Sequence, residues 1–316
     1  MSNIIQFFQP AEMLRKYIDN YYFVELSGSP GRGEFEQKPI SNGCVEMFFG
    51  YHNTIGTCYT NDGNTLRVRS GLIGAHDLKN SVKGMALESD PRTFKFTSIN
   101  FKPDGFYGIY KIPLFEIYNS FIETYSLFGN EIKQLENKLD DAKSTIERKA
   151  HLDQYFINQL NKNNPKQYNF SAGYNTVNII GYYKGIIKMH QLVDEIKVSE
   201  RTLQRNFKTA LGLSPKEYCK IIRFKNLINY ISGKEKINWL DMVSDFGYYD
   251  QAHLINEFKS ATGITPDVYM KHRNKSIFKV NNHLVLIKPA VIYNDVHTAM
   301  AKGEKSYLQQ AKNSPF

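Results

Sequence analysis

The chain has 316 residues, long enough for two domains, and its 41% hydrophobic content is enough to build real cores. A mean hydropathy of −0.45 with no long apolar run excludes a membrane-spanning helix, and a net charge of +9 with a pI near 9.1 suits a polyanionic partner. The start, MSNIIQFFQPAEML, has no basic stretch followed by an apolar one, and three cysteines (Cys44, Cys58, Cys219) suit a reducing compartment, so a cytoplasmic protein is expected.

Residues 1–125 read as a β-rich domain. Residues 45–49 and 93–97 alternate or are rich in aromatics, as strands are. Turn signals recur at Ser27-Gly28, Pro30-Gly31, Asn42-Gly43, Asp62-Gly63 and Pro103-Asp104-Gly105. Residues 11–19 are expected to form a helix packed on this domain, and the pattern turns helical and aromatic over 106–125. A helical extension follows at 126–162, with one stripe through Phe128, Ile132, Leu135 and Leu139. Ser144-Thr145-Ile146-Glu147 is a capping box opening a second helix, whose stripe continues from Ile146 through Ala150, Phe156 and Leu160. This pair either forms a dimer surface or caps the β-domain of its own subunit. Residues 163–175, rich in Asn with Pro165 and Gly173, read as a linker.

Beyond the linker the chain repeats itself. SERTLQRNFKTALGLSPKEY (199–218) recurs in outline as DQAHLINEFKSATGITPDVY (250–269). Leu203 falls on Leu254, Phe207 on Phe258, Lys208 on Lys259, Ala210 on Ala261, Gly212 on Gly263, Pro215 on Pro266 and Tyr218 on Tyr269, always offset by 51 (254 − 203). A constant offset without gaps points to one structural unit built twice. In the first copy Ser199 suits an N-cap, Leu203 and Phe207 share the buried face, and Arg201, Gln204, Arg205 and Lys208 share the outer one. Gly212 ends the helix, and Ser214-Pro215-Lys216-Glu217 opens the next with a capping box. In the second copy Asp250 is the cap, Leu254 and Phe258 are buried, and Ala252, His253, Asn256 and Lys259 point outward.

A short helix precedes each copy, at 189–196 and 239–246, which is the helix-turn-helix plan. A helix over 215–232 connects the two and would hold two reading heads at a fixed distance. Residues 184–275 carry sixteen Lys and Arg against ten Asp and Glu, so +6 of the chain's +9 lies where the repeat lies. The expected class is therefore α+β: a β-rich N-terminal domain with a helical extension, then an all-α double helix-turn-helix domain at 176–275. In the tail, 276–316, residues 283–293 are apolar enough to pack or form a strand, and no function is legible.

These strings, SERTLQRNFK, GLSPKEY, RFKNL and DFGYYDQAHLINEFKSATGITPDVY, resemble the DNA-binding domain of the AraC/XylS family of bacterial transcription regulators over about residues 174–273. The resemblance implies two helix-turn-helix subdomains joined by one long helix and bound to successive major-groove faces of double-stranded DNA. It places base contacts on Arg201, Gln204 and Arg205 in the first recognition helix and on Ala252, His253 and Asn256 in the second. Arg pairs bidentately with guanine and Gln with adenine, so the first helix is well equipped. The second departs from the family pattern, with Ile255-Asn256 in place of a common Ser-Arg pair, and so is expected to give less readout and more positioning. Lys208 and Lys259 suit phosphate contacts, which add affinity without sequence information. Lys197 replaces a glycine common in the first turn. The resemblance further implies an activator working with RNA polymerase, and an N-terminal domain that senses a small-molecule effector, mediates a homodimer, or both. The Asn100-Phe101-Lys102-Pro103-Asp104-Gly105 string also resembles an uncharacterised N-terminal domain found in some of these regulators.

An alternative is a metal-dependent or hydrolytic enzyme domain fused to a DNA-binding module. Cys44, His52, Cys58 and His76 are the sole candidate metal set, and their spacing fits no familiar zinc pattern. Glu34, Glu36 and Glu46 are scattered carboxylates, and no nucleophile elbow, H-E-x-x-H, Walker loop or dinucleotide fingerprint is present. No catalytic residue, metal or cofactor is expected. A non-specific architectural DNA protein is a third reading, against which the Arg/Gln-bearing outer face argues.

Overall fold

Long-range strand pairing organises the N-terminal half of the protein in the computed structural model, which describes residues 4–27, 41–52, 54–59, 65–78, 84–88, 93–163, 171–232, 234–272, 277–280 and 283–286. The strands are β1 (Ile4–Phe8), β2 (Ile18–Ser27), β3 (Glu46–Gly50), β4 (Ile55–Tyr59), β5 (Thr65–Val68), β6 (Ser70–Ile73), β7 (Gly84–Glu88), β8 (Thr93–Phe101) and β9 (Phe121–Glu123). Six of them form an antiparallel sheet in the order β1-β2-β8-β3-β6-β9, and β5-β4-β7 form a second. The expected strands near 45–49 and 93–97 are the paired centre of the larger sheet. Period-2 alternation divides β3 between two cores: Met47 and Phe49 join Tyr21, Phe23, Ile99 and Phe101 on one face, while Phe48 joins Val68, Ile73 and Phe121 on the other.

Helices cover the first face. They are α1 (Gly105–Tyr110), α2 (Thr124–Phe128), α3 (Asn130–Asp141) and α4 (Thr145–Lys162). α3 buries Ile132, Leu135 and Leu139, as its stripe implied. Ser144 caps α4 by accepting from the Glu147 N–H at 3.2 Å, while Glu147 accepts from the N–H of Lys143 rather than of Ser144. The α4 stripe agrees with expectation at Phe156 and Leu160, which are buried, and differs at Ile146, 70% exposed, and at Ala150, also exposed; Arg148, Leu152, Asp153, Tyr155 and Gln159 complete the buried side. Phe156 packs on the sheet through Tyr21 and Phe101, at centroid distances of 6.3 and 5.7 Å, so the apolar side of this pair covers the sheet of its own subunit.

Two further expectations are corrected. Residues 11–19 do not form a helix: a 3-10 turn at Glu12–Leu14 leads into β2. Pairing of Ile18 with Phe101 overrides the local periodicity there. Residues 106–125 are not continuously helical either. α1 stops at Lys111, which takes a left-handed φ of 59°; Pro113 follows, a 3-10 turn spans Leu114–Glu116, and β9 then joins the sheet edge.

In the C-terminal half the helices are α5 (Ser171–Tyr182), α6 (Met189–Ile196), α7 (Glu200–Leu211), α8 (Pro215–Ser232), α9 (Trp239–Asp245), α10 (Gln251–Thr262) and α11 (Pro266–His272). α5 begins inside the stretch read as a linker and is anchored by buried Thr176 and Ile180. The chain is thus an α+β protein with its strands first and its helical bundle second. A hairpin of β10 (Ile277–Val280) and β11 (His283–Leu286) follows, and the rest of the expected 283–293 segment lies outside the described residues.

One buried acceptor ties the sheet to its helical cover. Asp153 of α4 accepts from the Tyr21 hydroxyl at 3.0 Å and from the Ala11 N–H at 2.9 Å, and it pairs with Lys149. Burial, with Asp153 beside it, raises the Tyr21 phenol above its usual range. Asp153→Ala leaves two donors without their acceptor and is predicted to lower stability by on the order of 2–3 kcal/mol, read by denaturant titration.

Candidate nucleic-acid interface

The capped helices of the two repeat copies are α7 and α10, and the repeat offset holds at both ends (251 − 200 = 51 and 262 − 211 = 51). Ser199 accepts from the N–H of Thr202 and Asp250 from that of His253, so each helix is capped where its sequence indicates. Gly212 and Gly263 close the helices with φ of 75° and 79°, a left-handed conformation that favours glycine. Ser214 and Glu217 form the expected reciprocal box at the start of α8. The cores match as well: Phe207 packs edge-on against Tyr218 at 5.7 Å and Phe258 against Tyr269 at 5.4 Å.

The outward residues are all exposed: Arg201, Gln204, Arg205 and Lys208 on α7, and Ala252, His253, Asn256 and Lys259 on α10. The Gln204 amide donates to Glu200 at 2.9 Å. His253 is held back against the turn: its Nδ1 accepts from the Tyr249 N–H at 3.3 Å and its ring meets Tyr248 edge-on at 5.4 Å. Asn256 and His253 face a cleft of ≈ 480 Å³ whose other walls are Asp77 and Leu78 of the N-terminal half and Glu217 and Lys220 of α8.

Three features of this region escaped sequence reasoning. The first is an ion pair between α8 and α10. Arg223 donates to both carboxylate oxygens of Glu257, at 2.9 and 2.7 Å, with the two side chains 13% and 9% exposed. It also donates to the Gly247 carbonyl and lies 4.3 Å from the centre of the Tyr248 ring. Nothing local signals it, because the partners stand 34 residues apart. The second is how closely the N-terminal half packs on the first head. The 3-10 turn at Leu114–Glu116 lies against α7, and a Cβ on Gly212 would come within 2.8 Å of the Leu114 carbonyl oxygen. A Cβ on Gly43 would come within 2.8 Å of the Tyr218 ring. Ala75 and Leu78 belong to the core that holds Leu203 and Phe207 of the first head and Leu254 and Phe258 of the second. The third is that Lys197 keeps the left-handed shape of the turn, with φ 57° against 64° at Gly247.

Of the sequence-level metal set, Cys44 Sγ lies 3.6 Å from the Asn42 carbonyl, His52 Nε2 3.3 Å from Arg148, and His76 Nδ1 3.2 Å from the Gly74 carbonyl. The Cys58 side chain, Glu34 and Glu36 lie outside the described residues, and Glu46 accepts from the Tyr22 and Ser98 hydroxyls. Among the described residues no three His, Cys, Asp or Glu side chains gather to hold a metal, and no helix is long and apolar enough to cross a membrane.

A family model described as a helix-turn-helix domain matches residues 192–272. This segment is an AraC-type helix-turn-helix domain. The AraC-type domain makes the chain a DNA-binding transcription regulator. Residues 6–123 match a domain of unknown function, DUF6597. No curated protein matches the chain. Among solved structures, it is similar to ToxT from Vibrio cholerae, at 12% identity over 79% of this chain and 97% of that one, with a TM-score of 0.43. Unsaturated-fatty-acid-bound wild-type ToxT from Vibrio cholerae strain SCE256 is 10% identical over 83% and 96% of the two chains, with a TM-score of 0.40.

Removing one partner of a buried ion pair leaves the other charge uncompensated. Arg223→Ala is predicted to destabilise the AraC-type domain by about 3 kcal/mol, with the loss concentrated in the hydrogen exchange of α9 and α10. Lys197→Gly relieves a left-handed non-glycine residue and should raise stability by roughly 1 kcal/mol in thermal denaturation, leaving the helix content unchanged.

Proposed function

We propose that the protein is a sequence-specific regulator whose first head reads bases through Arg201, Gln204 and Arg205, and whose second engages DNA through Ala252, His253 and Asn256. Lys208 and Lys259 neutralise phosphates on either side. The supporting observation is the pair of capped helices, alike in register and core, with these residues exposed on the outer side of each. The duplex is engaged on one face at successive major grooves about 34 Å apart. The reading involves no catalytic step and no cofactor.

The N-terminal domain at 1–125, with its extension at 126–162, transmits a signal to the heads. That signal is a small-molecule effector, a second copy of the chain, or both. The 3-10 turn at Leu114–Glu116 supports this role, because it lies against α7 and a shift in it reaches the first head directly. The output is activation in concert with RNA polymerase.

Competition between a duplex selected by the protein from a random pool and unselected DNA, at fixed salt, tests the reading. Arg205→Ala is predicted to cost about 1–3 kcal/mol on the selected site and to relax preference at one base position. Lys208→Ala should weaken all sequences alike and reduce the salt slope by about 1. Equal affinity for selected and unselected duplexes would leave an architectural DNA protein as the better description.

A further inference from the structure

The two heads are built alike but armed differently. At an offset of 51, Arg201, Gln204 and Arg205 of α7 correspond to Ala252, Ile255 and Asn256 of α10. A guanidinium fork is thus replaced by a methyl group, Ile255 is half-buried, and Asn256 is the shorter polar group that remains. His253, one turn from the helix start, is engaged by the Tyr249 N–H.

The leading end of α10 carries an apolar group that α7 lacks. Tyr249 is 90% exposed, the most exposed large hydrophobic side chain among the described residues. Its counterpart in the first copy, Val198, is half-buried against the core. The difference follows from the turn. α6 and α9 begin 50 residues apart (239 − 189), but the caps Ser199 and Asp250 are 51 apart (250 − 199), so the second helix and its turn together are one residue longer. Tyr248 is buried beneath Arg223, and the residue after it turns outward. The position of Tyr249 is set at the backbone by its N–H bond to His253 and by the Asp250 cap that follows. Recognition helices present their N-terminal end to the base edges, and apolar side chains there contact the thymine methyl group. Tyr249 and Ala252 are three residues apart at that end.

We propose that Tyr249, together with Ala252, reads thymine methyl groups in the half-site of the second head, so that this head selects by apolar contact where the first selects by charged forks. The inference rests on α10 entering the major groove as proposed above. The test is a duplex selected from a random pool, synthesised with thymine or with uracil in the second half-site, which removes only methyl groups. Wild-type protein should bind the uracil duplex roughly fourfold more weakly per contacted methyl, the amount expected for burial of one methyl group. Tyr249→Phe should keep that sensitivity. Tyr249→Ala should bind the thymine duplex more weakly and lose most of the thymine–uracil difference, with an unchanged melting temperature because the ring is outside the core. If wild type and Tyr249→Ala respond alike to uracil, or if Tyr249→Phe behaves as Tyr249→Ala, the proposal is wrong while DNA reading by the protein stands. If the protein enriches no duplex from the pool, the DNA-reading assignment itself fails and the proposal with it.

Discussion

One helix supplies core to both reading heads. Tyr218 of α8 packs against Phe207 of the first head, and Phe224, six residues on, packs against Phe258 of the second at 5.4 Å. Six residues of α-helix rise roughly 9 Å, and a hydrogen-bonded rod of that length does not stretch. The relative placement of α7 and α10 is therefore set by which α8 side chains each head receives. Arg223 strengthens the constraint at the second head, where it holds Glu257 of α10, the Gly247 carbonyl and the Tyr248 ring at once. A nearly buried ion pair adds little net stability over an apolar contact of the same shape, but a bidentate guanidinium–carboxylate pair fixes orientation. Orientation is what a groove-reading helix requires.

The two heads also differ in their relation to the N-terminal half. The first is packed against it through Leu114 on Gly212 and Gly43 on Tyr218. The second meets it across a cleft, with Asn256 and His253 on one wall and Asp77 and Leu78 on the other. The division matches the side chains: charged forks stand on the anchored head, and small or apolar groups on the one held by the clasp.

The C-terminal half was largely legible because its signals are local. Caps, left-handed glycines and the Ser214–Glu217 box act within four residues, and the repeat supplied each of them twice. The bounds of α6 and α8 agree with the reading at both ends. The N-terminal half was legible in class but not in topology. β8 pairs with β2 and β3, with partners from 46 (Gly50 and Phe96) to 83 (Ile18 and Phe101) residues apart, and that pairing takes Ile18 and Asp19 into a strand where their periodicity suggests helix. Ile146 differs for a related reason: the buried face of α4 is chosen by its tertiary neighbours, with Arg148 donating to the Leu139 and Ala142 carbonyls and Gln159 to Glu131 of α3. At the candidate interface the outward residues were readable from helical spacing. The Arg223 clasp, the packing of Leu114 on Gly212 and the extra residue that exposes Tyr249 depend on tertiary contacts or on comparing two turns in space.

The central claim is that one subunit carries two groove-reading heads at a separation fixed by α8. Hydroxyl-radical footprinting of a selected duplex, at one protein per site, measures this directly. Two protected segments about one helical turn apart on the same face are predicted, with the second lost on disruption of α10 and the first retained. A single protected segment, or two whose separation varies from site to site, would contradict it.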